Sequence, residues 1–252
     1  MSADTNVPSL LAERKPGHAL PRPFYTSSGI LELDLAAIWY QEWLFAIPSC
    51  EIPKTGNFVT MQVGEYPILI VRGADGQIRA FHNSCRHRGS RVCAAAKGNA
   101  PKLVCPYHQW TYELDGRLLY ARDMGPDFKP ADHGLKAVAC RDAGGMVFVC
   151  LSDTPPAIDG FVETAKRYLG PQRLTDARIA HESTIIEKGN WKLVLENNRE
   201  CYHCAGSHPA LCRTFPDRPG FTSMDETGAI EPLVTAHWRK CEAAGMPRSE
   251  EH

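Results

Sequence analysis

Cys85-Arg86-His87-Arg88-Gly89-Ser90 and, further on, Cys105-Pro106-Tyr107-His108-Gln109-Trp110 are the two stretches on which the reading of this chain turns. The pattern is Cys-x-His, seventeen intervening residues, then Cys-x2-His. Each arm offers one thiol and one imidazole. A structural zinc site usually pairs like with like within an arm, so mixed arms point to a centre that treats sulfur and nitrogen donors asymmetrically. Short β-rich runs surround both arms: residues 58–63, 67–72 and 78–81, separated by Gly64-Glu65 and by Gly73-Ala74-Asp75-Gly76, which have hairpin-turn chemistry. The pattern continues through 103–104, 111–114 with its Asp115-Gly116 turn, and 137–149, and closes at Pro155-Pro156.

A Rieske two-iron, two-sulfide cluster has the asymmetry that the mixed arms require. One of its irons takes two thiolates and the other two neutral imidazoles. Cys85 and Cys105 then hold the first iron, and His87 and His108 the second. Gly89 lets the backbone approach the inorganic sulfides, Pro106 stiffens the second loop, and nearby amide and hydroxyl donors would tune the potential. A zinc ribbon, or two unrelated buried Cys–His pairs, is the competing reading of the same spacing. Cys93, Cys140 and Cys150 read as small core residues of the β unit.

Outside the β unit, the first twenty-odd residues are polar and carry Pro8, Pro16, Pro21 and Pro23, which reads as an extended arm. Residues 31–46 have helical spacing, with Asp34 near the first turn. Beyond the Pro155-Pro156 break, 161–169 reads as a helix, 178–187 as a strand, 190–203 as a second helix and 236–244 as a short helix ending at Gly245. The expected division is an arm and helix over 1–39, a cluster domain over 40–156 and a further domain over 157–252.

A second constellation lies on the helix over 190–203. Glu200 and His203 fall within about 60° of each other on a regular helix, whereas His203 and His208 are about 140° apart. Joint ligation of one metal by the two histidines needs the helix to open, and Gly206-Ser207-His208-Pro209 is the expected place. Two neutral imidazoles and a carboxylate from elsewhere make the facial site of non-haem Fe(II) oxygenases, with positions left for water, substrate and dioxygen. Glu200 is then read as a hydrogen-bonding relay to His203 rather than a ligand. The bland alternatives are a satisfied core histidine at His203 and a redox or zinc pair at Cys201 and Cys204.

The 252 residues, 43% of them apolar, carry 28 basic and 29 acidic side chains, a net charge of −1. Intrinsic disorder and a generic polyanion-binding surface are therefore not expected, and neither is a nucleic-acid partner. No apolar run reaches the ~18 residues of a membrane span, and the opening residues lack a signal-peptide pattern, so no membrane association and a cytoplasmic location are expected. Ten cysteines in such a chain point to metal binding or buried thiols before disulfides.

Together the segments 85–92, 105–112, Asn190-Trp191-Lys192 and Glu200-Cys201-Tyr202-His203 with His208-Pro209 resemble the α subunit of the Rieske non-haem iron oxygenases, the ring-hydroxylating dioxygenase family. The resemblance implies an α+β chain: an all-β antiparallel sandwich with two cluster-binding hairpin loops, then a helix-grip-like catalytic domain. It implies a [2Fe-2S] cluster and a mononuclear Fe(II), reduced by NAD(P)H through a flavin and iron–sulfur reductase, in some members with a ferredoxin. It also implies a homotrimer in which Glu200 carries the electron from one subunit's cluster to the next subunit's iron, where His203 and His208 bind and O2 is activated. A glutamate rather than the commoner aspartate at this bridging position resembles the branch that oxidatively demethylates quaternary ammonium compounds such as glycine betaine. An aromatic-ring-hydroxylating dioxygenase is the alternative within the family, and a Rieske electron-transfer protein without oxygen chemistry the alternative outside it. The family's third iron ligand is a carboxylate far downstream of the histidines, and the sequence ends at His252. The third ligand and much of the catalytic sheet are therefore expected to be missing from this chain, which reads as C-terminally truncated.

Overall fold

The computed structural model describes residues 6–200, 203–208, 210, 235–236, 239–240 and 242–245. Part of the helix expected over 236–244 lies outside the described residues, as does Cys201. The chain forms two compact units, residues 33–182 and residues 1–32 with 183–252.

The unit 33–182 is built on seven antiparallel strands in the order β1-β10-β9-β4-β3-β2-β5. These are β1 (Leu44–Pro48), β2 (Asn57–Val63), β3 (Tyr66–Arg72), β4 (Ile78–His82), β5 (Lys97–Asn99), β9 (Ala137–Ala143) and β10 (Met146–Cys150). A second sheet of three short strands, β6 (Leu103–Val104), β7 (Thr111–Tyr112) and β8 (Leu118–Tyr120), carries the rest. Strand β3 explains the layering. Ile68, Leu69, Ile70 and Val71 are all fully buried. A continuous apolar run of this kind belongs to a strand covered on both faces. Leu69 and Val71 enter a core with Phe81, Leu103, Trp110 and Tyr112, the side that carries the Cys-His arms. Ile68 and Ile70 enter a second core with Ile47, Val147 and Val149. Because β1 and β10 share that core with β3, the long sheet curls back on itself; the seam is β4 against β9, registered only as Ala80↔Val138 and Phe81↔Ala137.

The turns follow their sequence signals. Gly64-Glu65 joins β2 to β3, and glycine is favoured at Gly64 by its φ of 54° and by the Tyr40 hydroxyl, which a Cβ would meet at 2.1 Å. Four expectations need correction, the first being the extended arm: the opening segment forms two short helices, α1 (Val7–Ala12) and α2 (Pro23–Thr26), because Leu10 and Phe24 are buried together. The helix expected over 31–46 is shorter: α3 (Ser28–Asp34) runs into a wide turn at Leu35–Trp39, and Leu44 already begins β1. Pairing with β10, with Leu44 opposite Val149, and burial of Ile47 outweigh the helical spacing. Residues 178–187 form no strand among the described residues, and Ile185 and Ile186 are 79% and 84% exposed. A strand needs a ladder partner, and the described residues offer none there. The helix expected through His203 ends at Arg199, as described below.

Helix α4 (Asp159–Leu169) lays Val162 and Ala165, with Ile158 before it, against Ala143, Met146 and Phe148 of the β9–β10 hairpin. In the other unit, α1 (Val7–Ala12) and α2 (Pro23–Thr26) close a small core of Leu10, Phe24 and Ile30. No helix among the described residues is long and apolar enough to cross a membrane.

The double burial of β3 makes a direct prediction. Ile70→Ala should lower the urea midpoint by the equivalent of ~2–5 kcal/mol at unchanged slope, whereas Leu119→Ala, 53% exposed, should stay within ~0.5 kcal/mol. Equal effects from the two would contradict the layering.

Candidate metal centres

Each Cys-His arm is a loop closed by the same two backbone hydrogen bonds. The Gly89 N–H donates to the Cys85 carbonyl at 2.9 Å and the Cys85 N–H to the Ser90 carbonyl at 2.8 Å. In the second loop the Gln109 N–H donates to the Cys105 carbonyl at 3.0 Å and the Cys105 N–H to the Trp110 carbonyl at 2.8 Å. Four residues after its cysteine each chain turns left-handed, at Gly89 (φ 73°) and Gln109 (φ 61°). Two loops that differ in sequence and in histidine spacing thus share one backbone shape.

That shape sorts the donors. Cys85 and Cys105 are 4% and 1% exposed and share one buried core at the bottom of the loops. His87 and His108 stand at the tip with their Nδ1 atoms 3.1 Å apart, so both nitrogens are aimed at one spot. Among the described residues no three His, Cys, Asp or Glu side chains converge as for a single metal ion. The donors meet in like pairs, sulfur with sulfur and nitrogen with nitrogen. This is the demand of a cluster with two chemically different irons, and a single tetrahedral zinc would need all four donors together. The residues present therefore fit a Rieske [2Fe-2S] group.

The surroundings hold both pairs in place. Burial pushes the Cys85 thiol up, opposed by the Tyr112 hydroxyl and the His87 backbone N–H; a coordinated metal deprotonates such a thiol outright. The Tyr112 oxygen, fully buried, accepts from the Arg86 N–H at 3.0 Å. It also lies 3.2 Å from the Cys85 sulfur, to which the hydroxyl donates once that sulfur is a thiolate. Desolvation, then His108 and Arg88, hold the His87 imidazole below its ordinary pKa, which favours the neutral ring a metal needs. Trp110 stacks on His87 with ring centres 5.0 Å apart, and Tyr107 lies against His108 at 3.7 Å. Asn83 pins the first loop from behind: its side-chain oxygen accepts from Val92 and Cys93, and its amide donates to the Cys93 carbonyl at 2.7 Å. The sequence reading missed Asn83. Its only signal is a polar side chain between the apolar β4 and the first cysteine.

The second constellation sits in the other unit. Asn190 caps α5 (Trp191–Arg199), accepting from the Lys192 N–H at 3.0 Å. The helix stops at Glu200, whose backbone is extended (φ −118°, ψ 139°). Glu200 and His203 are thus not on one face of a continuous helix, and the break falls before His203 rather than at Gly206. Asn197-Asn198, poor helix formers near the end of α5, are consistent with the early stop. Contact is made all the same: His203 Nδ1 lies 2.8 Å from Glu200 Oε1. The one-turn helix α6 (Cys204–Ser207) follows, with His203 at its start and His208 just past its end, their ring centres 5.3 Å apart at 80°. Gly206 lies inside α6, so the two imidazoles approach across its ends without the opening expected there.

The Rieske [2Fe-2S] domain family matches residues 42–139, and the ring-hydroxylating alpha subunit catalytic domain matches residues 174–251, in that order. The chain belongs to the Rieske ring-hydroxylating oxygenases. Such chains carry a Rieske cluster and a mononuclear iron. The glycine betaine monooxygenase oxygenase subunit of Chromohalobacter salexigens is 52% identical over 235 residues, which cover 92% of this chain and 53% of that protein. That of Pseudomonas aeruginosa strain UCBPP-PA14 is 49% identical, covering 94% of this chain and 56% of the relative. A quaternary ammonium Rieske monooxygenase solved with L-carnitine matches with a TM-score of 0.69 at 30% identity, over 77% of this chain and 56% of that one. The chain spans about half the length of the curated relatives it matches.

For this Rieske unit, Tyr112→Phe should keep the visible absorption and lower the reduction potential by several tens of millivolts. One lost hydrogen bond of about 1 kcal/mol converts to ~40 mV for one electron. An unchanged potential would mean that the hydroxyl does not reach the sulfur. Cys85→Ala or His108→Ala should abolish the colour.

Proposed function

We propose that this chain is the cluster-bearing and histidine-bearing part of an oxygenase that removes a methyl group from a quaternary ammonium compound such as glycine betaine. In functional terms, 1–39 is the arm and its helix, 40–156 the cluster domain and 157–252 the beginning of the catalytic domain. Cys85 and Cys105 hold one iron of the cluster and His87 and His108 the other; His203 and His208 hold the mononuclear iron. The sorting of the first four donors into a buried sulfur pair and a nitrogen pair at the tip carries the cluster reading, and the convergence of Glu200, His203 and His208 carries the oxygenase reading. The substrate class rests on the identity of 52% to a glycine betaine monooxygenase oxygenase subunit, against 32% to an anthranilate dioxygenase large subunit.

The bound groups supply electron storage and the activation of O2. Overall, two electrons and two protons convert O2 and an N-methyl C–H into an N-hydroxymethyl group and water. The hydroxymethyl then loses its O–H proton and breaks its C–N bond, the electron pair staying on nitrogen, to leave formaldehyde, a tertiary amine and the released proton. The electrons come from NAD(P)H through a flavin and iron–sulfur reductase, with or without a ferredoxin. This chain's residues do the arranging. The two imidazoles at the loop tips bring the cluster's nitrogen side to the surface. Glu200 accepts the Nδ1 proton of His203 in a hydrogen bond, which fixes the ring's tautomer and leaves Nε2 free to bind metal. In a homotrimer Glu200 would also meet the neighbouring subunit's cluster histidine, a role supported by a 30% identical quaternary ammonium Rieske monooxygenase whose structure gave insights into inter-subunit electron transfer. A cytoplasmic location completes the proposal.

An electron carrier without oxygen chemistry has no use for the Glu200–His203 pair. Iron and acid-labile sulfide per chain, measured on anaerobically purified protein, separate the readings. Two irons with two sulfides indicate the cluster alone, and three irons add metal at His203 and His208. Zinc without sulfide would sink the oxygenase reading. In the intact oxygenase supplied with reductase, NADH and glycine betaine, formaldehyde should appear, and Glu200→Gln should cut its rate by ~100-fold or more while leaving the cluster spectrum intact. Normal turnover in that variant would remove Glu200 from the electron path.

A further inference from the structure

The amino-terminal segment, read from sequence as an extended arm, is bonded to the helix that leads to the iron histidines. The Tyr25 hydroxyl donates to Glu196 Oε1 at 2.8 Å and itself accepts from the Leu20 N–H at 3.1 Å. One turn earlier on α5, the Lys192 ammonium donates to the Phe24 carbonyl at 3.3 Å. Both belong to the same compact unit, and the residue Lys192 is 8% exposed. The arm side of these bonds is anchored in turn, because Phe24 and Tyr25 pack with Leu10, Leu20 and Ile30.

We infer that Tyr25 and Glu196 form a positioning latch that sets the rotation and register of α5, and through it the placement of Glu200 and His203. A single polar contact would let the helix pivot. Two contacts four residues apart, about 6 Å along the axis, fix both rotation and sliding. Glu196 is one turn from Glu200, and Glu200 is the first residue past the helix end, so an error in α5 passes directly to the carboxylate that holds His203. The tie is polar and directional, while Leu193, Val194 and Leu195 of the same helix are each about half exposed. Misplacement by about 1 Å is enough to cost large factors in rate when a group must meet its partner in one geometry.

The inference rests on the oxygenase reading for its catalytic readout, so the test has two arms. In the intact oxygenase with reductase, NADH and glycine betaine, Tyr25→Phe and Glu196→Leu should each lower formaldehyde released per NADH consumed by about two- to tenfold, the missing electrons appearing as hydrogen peroxide. Cluster absorbance and iron per chain should stay at wild-type values. Glu196→Gln, which keeps an acceptor for the Tyr25 hydroxyl, should restore coupling, and the double variant Tyr25→Phe/Glu196→Leu should be no worse than the worse single one. Independently of turnover, amide hydrogen exchange across 191–199 should speed up several-fold in Tyr25→Phe and Glu196→Leu but not in Glu196→Gln. Wild-type coupling in Tyr25→Phe, additive losses in the double variant, or parallel loss of iron and coupling would overturn the latch. If the wild-type oxygenase released no formaldehyde, the substrate reading would fall, and the exchange measurement would still decide the latch: unchanged exchange in Tyr25→Phe rejects it.

Discussion

Two pairs of donors with opposite solvation needs have to be held a few ångströms apart, and two backbone hydrogen bonds per loop accomplish this. The thiols favour a dry site, while the imidazoles must reach the surface to be useful. Closing each loop back onto its cysteine carbonyl and N–H buries the sulfur and throws the histidine outward. The rest of the β unit serves that arrangement. Leu69 and Val71 of β3 form the floor beneath the cysteines, and Ile68 and Ile70 tie the floor to the second core. Asn83 and Tyr112 satisfy polar groups that the closure would otherwise leave stranded in an apolar setting.

The second constellation is built by other means. No strand supports Glu200, His203 and His208 among the described residues; they follow one another along a helix end, a break and a single turn. Their geometry depends on what fixes α5, which is a cap at Asn190 and the contacts from the amino-terminal segment. Pairwise ligand sorting in one unit and sequential ligand spacing in the other are different solutions to holding metal, each suited to its job. A cluster that stores an electron gains from rigidity, and a centre that binds substrate and O2 needs open positions.

Much of this was legible in the residues. The Cys-x-His and Cys-x2-His arms, the short β-rich runs around them and the turn glycines sufficed for the β unit, because a mixed ligand pattern has few physical solutions. The end of the first helix was not legible: residues 31–46 carry helical spacing throughout, and only pairing with β10, a contact about a hundred residues away in sequence, converts 44–48 to strand. Nor was the break at Glu200, since periodicity continues through it and backbone geometry at a helix end depends on neighbours that a spacing rule does not see. The strand expected at 178–187 failed for the same reason, its partner being absent from the described residues. The link from Tyr25 to Glu196 spans 171 positions and leaves no local trace at all.

One feature of the loops distinguishes them. The left-handed residue is glycine in the first and Gln109 in the second, although a side chain at φ 61° is disfavoured. Gly89 adds no side chain to a loop that already exposes Arg86 and Arg88, whereas Gln109 adds an amide, exposed beside His108. The tip therefore has near-twofold symmetry in its main chain and none in its surface. Anything that approaches it meets an object with a top and a bottom.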